Sequence, residues 1–347
     1  MALSKIDSAN MIEDVPQSKI DNNINFRNLI INGGMDIAQR GTSQASITAA
    51  GYYTVDRFQF QVSSMGTWTN SQSTDVPTGQ GFASSFKVDC TTADASPSAS
   101  DLVVVQQKIE GQNLQYLKKG TSSAESTTLS FWVKSSKTGT YIAELFDNDN
   151  SRQISKSYTI NSANTWEKKT ITYAGDTTGA LDNDNTVGLT LNFWLGVGSD
   201  FSSGTLNTSW NSEVSANRVV GQVNLADNTA NEWYITGVQL EAGTASDFEF
   251  LPTGVMESLC ERYYSKTSTS MGGYVTGANQ TLGFTVPFAH PTTMRATPSV
   301  TVAGSGSNYN GFNMRNRDEK STSMNIKGAA AGRVWVEYTS VEFESEL

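Results

Sequence analysis

Histidine is nearly missing from this chain: one in 347 residues, His290. A serine or cysteine hydrolase with an imidazole base would have to use that residue. It sits in PFAHPTTM between Pro287 and Pro291, which reads as a surface turn with no nucleophile elbow nearby. Cysteine is scarce too. Cys90 and Cys260 allow one disulfide and no framework. Two reduced, buried thiols is the preferred expectation, and a Cys90–Cys260 bridge is the other. A zinc site would need both distant cysteines and the lone histidine, a weak set. Charged residues are only 17% of the chain, and the net charge is -10. An acidic surface repels phosphate, which argues against nucleic acid and anionic membranes as partners. No apolar run approaches a membrane span. MALSKIDSANMIEDV has no basic stretch followed by an apolar core, so no signal peptide is expected.

What the chain does have is length for two domains and many short β-like segments. Residues 1–27 stand apart. Leu3, Ile6, Ile12, Val15 and Ile20 are scattered among Asp, Asn, Ser and Gln with neither helical nor strand period. Such an arm cannot bury its apolar residues on itself. Either it attaches to another chain or it is an unordered tail. From Asn28 onward, segments such as YYTVDRFQFQV, FASSFKVDC, TTLSFWVKS, TVGLTLNFWLGV and EWYITGVQLEA carry β-branched and aromatic residues. They end in Gly, Asn, Asp or Ser and show no strand–helix–strand alternation. Residues 101–120, DLVVVQQKIEGQNLQYLKKG, read as a helix or helical turn. Pro252 and Gly254 punctuate the chain, a short helix fits MESLCERYY, and further strands follow. No fixed-period repeat supports a triple β-helix shaft.

Two distant stretches carry a resemblance. NLIINGGMDIAQRG (Asn28 to Gly41) leads into GYYTVDRFQF, and EWYITGVQLEAGTASDFEF (Glu232 to Phe250) leads into ESLCERYYSKT. Together they resemble the opening and closing of carbohydrate-binding-module-like jelly-roll domains in tail fibres and other appendages of tailed bacteriophages. The resemblance implies an all-β chain: an extended attachment arm over 1–27, a jelly-roll β-sandwich over 28–255 and a smaller β-sandwich over 256–347. It also implies a virion structural protein, homotrimeric, touching other virion proteins and host surface glycan, without nucleic acid and without membrane insertion. Asp56 and Arg57 recur in such domains, where a structural ion pair locking the first strands is expected, of Asp56 with Arg40 or with the neighbours of Arg57. Arg262, Tyr263 and Tyr264 are expected to fix the domain junction. No cofactor is expected beyond a structural calcium, for which Asp36 and Glu241 are the implied neighbourhood.

The residues themselves favour binding over turnover. Asp56, Glu110, Glu144, Asp147, Asp149, Glu241 and Glu249 are the candidate acids for a glycan hydrolase, which needs two carboxyls about 5–9 Å apart. Solvent-facing and turn positions are the plainer reading for them. DNDNS at Asp147 and LDNDN at Leu181 fit tight turns first and calcium loops second, since neither has the EF-hand spacing. Exposed rings stack on sugar faces, and Trp68, Trp210 and Tyr309 lie in polar sequence, which makes them the candidate glycan contacts. Trp132, Trp166, Trp194 and Trp233 fall within strands and are expected in the core. The expected function is a phage fibre subunit without enzymatic activity. The alternatives are a capsid-decorating or tail-assembly protein, and a depolymerase.

Overall fold

The computed structural model describes residues 26–281 and 285–347. The arm residues Leu3, Ile6, Ile12, Val15 and Ile20 lie outside the described residues. The first domain is built from β1 (Ser43–Ile47), β2 (Gln59–Ser63), β3 (Thr67–Ser73), β4 (Ser85–Thr92), β5 (Leu102–Glu110), β6 (Thr127–Ser135), β7 (Gly139–Asp147), β8 (Arg152–Ile160), β9 (Glu167–Tyr173), β10 (Val187–Val197), β11 (Asn211–Ser212) and β12 (Glu232–Ala242). One sheet has the order β1-β3-β4-β12-β6-β9, and the facing sheet β11-β8-β7-β10-β5-β2. The chain crosses repeatedly from one sheet to the other, and this is a jelly-roll β-sandwich.

Period-two alternation sends every second side chain into the shared core. Leu189, Leu191, Phe193 and Leu195 do so from β10, and Tyr141, Ala143 and Leu145 from β7. Each large apolar side chain contributes about 1.5–3 kcal/mol on leaving water. In β12 the inward set shifts phase, from Trp233 and Ile235 to Val238 and Leu240. The register against β6 slips between Thr236 and Gln239, where Gly237 has φ +62. A bulge with a left-handed glycine absorbs the extra residue. Ahead of β1, the leading segment lies along β12: Leu29 N donates to Leu240 O and Val238 N to Gly33 O, both at 2.9 Å. A Cβ on Gly33 would stand 2.0 Å from Val238 O, so this approach requires glycine.

Residues 101–120 are not one helix; the helical turn survives only in the second half of the stretch. Leu102–Glu110 is strand β5, followed by two short 3-10 turns at Gly111–Asn113 and Gln115–Leu117. Val103 and Val105 face the main core, while Val104 packs on the opposite face with Ile142, Trp194 and Val219. Burial on both faces erases the alternation that identifies a strand.

A loop carrying α1 (Ser199–Ser202) covers part of that opposite face. Helix α2 (Thr253–Glu261) leads into the second domain, with β13 (Tyr264–Val275), β14 (Val286–Ala289), β15 (Ser299–Ser307), β16 (Tyr309–Arg317), β17 (Ser321–Gly328) and β18 (Gly332–Glu344). Two three-stranded sheets, β13-β18-β15 and β14-β17-β16, close over Met271, Met324, Ile326, Val334 and Val336 as a smaller β-sandwich. His290 is not a surface turn residue: it is 8% exposed, its Nε2 lies 3.2 Å from Thr322 Oγ1, and its ring meets Phe343. Burial lowers its pKa. Cys90 and Cys260 are free and buried. Burial pushes the Cys90 thiol up to about 11 and Cys260 well above its usual value, far from reactive thiolates.

The domain junction is polar and tightly bonded. Glu110, fully buried at the end of β5, accepts from Arg262 Nε (2.8 Å) and Nη2 (2.7 Å) and from the Tyr263 hydroxyl. Arg57 holds φ 72, a left-handed position uncommon for a non-glycine residue. Its guanidinium lies 3.4 Å over the Tyr263 ring, pairs with Glu346 and donates to Lys108 O at 2.8 Å. Arg40 lies 3.7 Å over Tyr264 and reaches Asp56 (3.9 Å) and Glu346 (3.3 Å). Asp56 also accepts from Gln39 N (3.0 Å) and Nε2 (2.6 Å). Finally, Leu347 O accepts from Lys108 Nζ (2.9 Å) and Tyr52 Oη (3.2 Å). Arg40, Asp56, Arg57, Arg262, Tyr263 and Tyr264 thus all stand at the junction. Removing one partner from such buried pairs costs about 3–5 kcal/mol.

Candidate functional site

The face of β2, β5, β10 and β7 that points away from the core carries the most organised polar surface. Strand register sets Gln59 opposite Gln106, Gln106 opposite Asn192, and Asn192 opposite Glu144. On one side of this row lie Lys108, Thr190 and Phe146, and on the other Gln61, Val104 and Trp194. All are outward-phase residues whose sequence neighbours fill the core, so the fold that builds the core also builds the rows. Together with Asn148, Phe201 and Arg218, these residues, apart from Glu144, line a groove of about 370 Å³. The Gln59 and Gln106 amides are bonded to each other.

Glu144 organises the floor. It is fully buried and accepts from Asn192 Nδ2 (2.9 Å), Trp194 Nε1 (3.0 Å), and Arg218 Nε (2.8 Å) and Nη2 (2.9 Å). Three of these bonds fall on Oε2 and one on Oε1. Arg218 is placed by the 3-10 turn Ser215–Asn217, and its guanidinium lies 4.8 Å from the Phe146 ring and 5.1 Å from Trp194. Burial opposes its charge, but Glu144 outweighs that, and the Arg218 pKa is raised. At the opposite side, burial and then Arg57 lower the pKa of Lys108. The groove therefore offers fixed amides, two basic groups and the edge of an aromatic cluster. Each carboxamide supplies two donors and an acceptor, the complement of a sugar hydroxyl that both gives and accepts.

The aromatic residues singled out from sequence lie elsewhere. Trp68 is a core residue, fully buried, with Nε1 donating to Met65 O at 2.7 Å; its polar neighbours belong to the other face of β3. Trp210 is half-buried and anchors its loop. Its Nε1 donates to Ala174 O (2.7 Å), Lys119 Nζ lies 4.7 Å over its ring, and it lines a small pocket with Lys119 and Asp176. Tyr309 packs against the second core and accepts from the Tyr338 hydroxyl at 3.2 Å. Of the tryptophans expected in strands, Trp233 is in the core, Trp194 is buried on the groove face, Trp132 is half-buried in β6, and Trp166 is half-buried just ahead of β9 rather than in a strand. Asp36 sits in a small pocket with Phe248 and Glu249, and burial raises its pKa. Glu241 instead accepts from Gln239 Nε2 (2.8 Å), Ser246 N (2.8 Å) and Ser246 Oγ (2.7 Å). Among the described residues, no three His, Cys, Asp or Glu side chains converge as a metal cage.

Gln59, Gln61, Gln106, Lys108, Phe146, Asn192 and Arg218 were not singled out from sequence. A signal was there: in QFQV and LTLNFW the amides take the phase opposite the apolar residues. Their convergence depends on cross-strand register, which no single segment carries.

No family model matches the sequence. No curated protein matches it either. Among solved structures, the chain is similar to the enzymatically active domain of tailspike protein 4 from bacteriophage CBA120, with 15% identity, TM-score 0.33, 62% of this chain and 22% of that one covered. It therefore spans under a quarter of that tailspike chain. It is also similar to the N-terminal cellulose-binding domain of Cellulomonas fimi β-1,4-glucanase C, with 14% identity, TM-score 0.28, 54% of this chain and 90% of that one. A third is the family 11 carbohydrate-binding module of Clostridium thermocellum, with 11% identity, TM-score 0.28, 60% of this chain and 99% of that one.

Proposed function

We propose that this chain is a glycan-binding subunit of a bacteriophage appendage, and that it binds without cleaving. The ligand lies in the groove over β2, β5, β10 and β7. The in-register row Gln59–Gln106–Asn192, fastened from below by Glu144, carries the reading. It presents several amides in fixed orientation, so little side-chain freedom is lost when sugar hydroxyls dock. Phe146 adds apolar surface for a ring face. Binding without turnover is supported by the state of Glu144, whose four accepted hydrogen bonds leave it badly placed to hand a proton to a glycosidic oxygen. The virion assignment rests on the sequence: the resemblance of Asn28 to Gly41 and Glu232 to Phe250 to phage appendage domains, and the apolar residues of the leading arm. On this reading the arm fastens a closed trimer to the particle, and three shallow grooves reach useful avidity through effective concentration.

The test is affinity electrophoresis of the purified chain through bacterial surface polysaccharides, with Gln106→Ala/Asn192→Ala as the control. At least one polysaccharide should retard the wild type, and the double variant should bind about tenfold more weakly or worse, roughly 1.4 kcal/mol, with unchanged circular dichroism. A folded double variant that binds as wild type removes the groove from the mechanism. Release of reducing ends from the bound polysaccharide would show an enzyme instead.

A further inference from the structure

Two places considered for calcium, Glu241 through the resemblance and the Asp147 run as the second reading of a turn, hold a side-chain cation instead. At the first, Arg27 Nε lies 2.6 Å from Ser246 Oγ and 3.4 Å from Glu241 Oε2, Nη2 donates to Asp247 O, and Nη1 is 3.8 Å from Glu249 Oε1. Both carboxylates are largely buried, at 3% and 9% exposure. At the second, Lys119 Nζ is bonded to Asp147, to Asp176 Oδ2 (2.9 Å) and to Gly179 O (2.9 Å). Each set of converging oxygens is of the kind a hard divalent ion would collect.

We propose that Arg27 and Lys119 are built-in replacements for divalent ions, so that this sandwich is fastened without calcium. Two buried carboxylates need a positive partner. A guanidinium never gives up its charge and spreads five donors in one plane, which matches acceptors around its rim. Calcium needs six to eight oxygens in a shell at about 2.3–2.6 Å, and here Arg27 already stands between the two carboxylates that would begin such a shell. Glu241 accepts three hydrogen bonds from Gln239 and Ser246, and Glu249 accepts from Phe26 N (2.6 Å) and Asn28 N (3.0 Å). Asp36, the other implied ligand, shares a small pocket with Phe248 and Glu249 and lies against Gly34. Arg27 also does a job a free ion would otherwise do. It clamps the leading segment onto the turn after β12, closing that end of the sandwich.

Thermal unfolding of the full chain in EDTA and in calcium chloride tests this. The wild type should unfold at the same temperature in both, within about 1 °C. Arg27→Gln deletes the charge and leaves Glu241 and Glu249 facing each other; its midpoint should fall, and calcium should recover at least about 3 °C. Arg27→Lys keeps a cation and should stay indifferent to calcium. A wild-type midpoint that drops in EDTA overturns the proposal. So does an Arg27→Gln protein that melts like wild type, gains nothing from calcium, or folds in neither buffer.

Discussion

Glu144→Gln should be among the most damaging single-atom changes available in the first domain. The substitution keeps the shape of the side chain and one acceptor oxygen. It deletes the charge that faces Arg218, whose Nε and Nη2 lie 2.8 and 2.9 Å from the two carboxylate oxygens. The new amide nitrogen points a donor at a donor. Glu144 is fully buried, so water cannot repair the loss. Breaking one side of a buried pair costs about 3–5 kcal/mol, which for a domain of this size lowers the melting midpoint by roughly 6–20 °C. Arg218→Met, by contrast, keeps the stem that packs over Phe146 and Trp194 while removing the second charge. The double variant should therefore be no worse than Glu144→Gln alone, giving a coupling of at least about 1 kcal/mol. Urea unfolding followed by tryptophan fluorescence gives all four corners of the cycle. A Glu144→Gln cost below about 1 kcal/mol, or single costs that simply add, would refute the role assigned to this carboxylate.

A pH prediction concerns Asp56, which burial raises from its usual 3.8 to about 6 against the pull of Gln39 and Arg40. A carboxyl raised on folding binds its proton more tightly in the folded chain, so its stabilising effect is full below about pH 4 and is lost as pH rises through 6, by up to about 3 kcal/mol. Wild-type stability should accordingly fall relative to Asp56→Asn across that window, and parallel curves for the two proteins would contradict it. Trp210→Ala should lower stability by uncovering Lys119 and losing the bond to Ala174, yet leave polysaccharide retardation unchanged. A folded Trp210→Ala protein with weakened retardation would return this ring to the binding surface.

Strands were legible wherever apolar residues recur at every second position. TVGLTLNFWLGV states its phase openly, because Leu189, Leu191, Phe193 and Leu195 alternate with Thr190, Asn192 and Trp194. The same logic failed over 101–120, where Val104 is buried by a loop that comes from residues a hundred positions later. Trp68 misled for the converse reason. TWTNSQ looks polar, yet Trp68 lies on the buried face of β3 together with Asn70, while Thr67, Thr69 and Ser71 are half-buried on the other. Of the junction residues, Arg262, Tyr263 and Tyr264 were expected there, whereas Asp56, Arg57 and Arg40 were expected, from the resemblance, to lock the first strands; that they meet Tyr263 and Tyr264 depends on how the domains pack. The groove was not readable. Gln59, Gln106 and Asn192 are ordinary strand amides until three registers align them, and register is a property of the assembled sheet.

The bonds around Glu346 and Leu347 have a mechanical meaning. The two domains are joined once through the covalent path across α2, and a second time where the final residues return to Tyr52, Arg57 and Lys108. Tension applied between the domains meets these connections in parallel, so the load is shared and the link across α2 cannot swing as a free hinge. Because Lys108 is at once an anchor of that second tether and part of the groove wall, strain at the tether is delivered directly to the proposed binding surface.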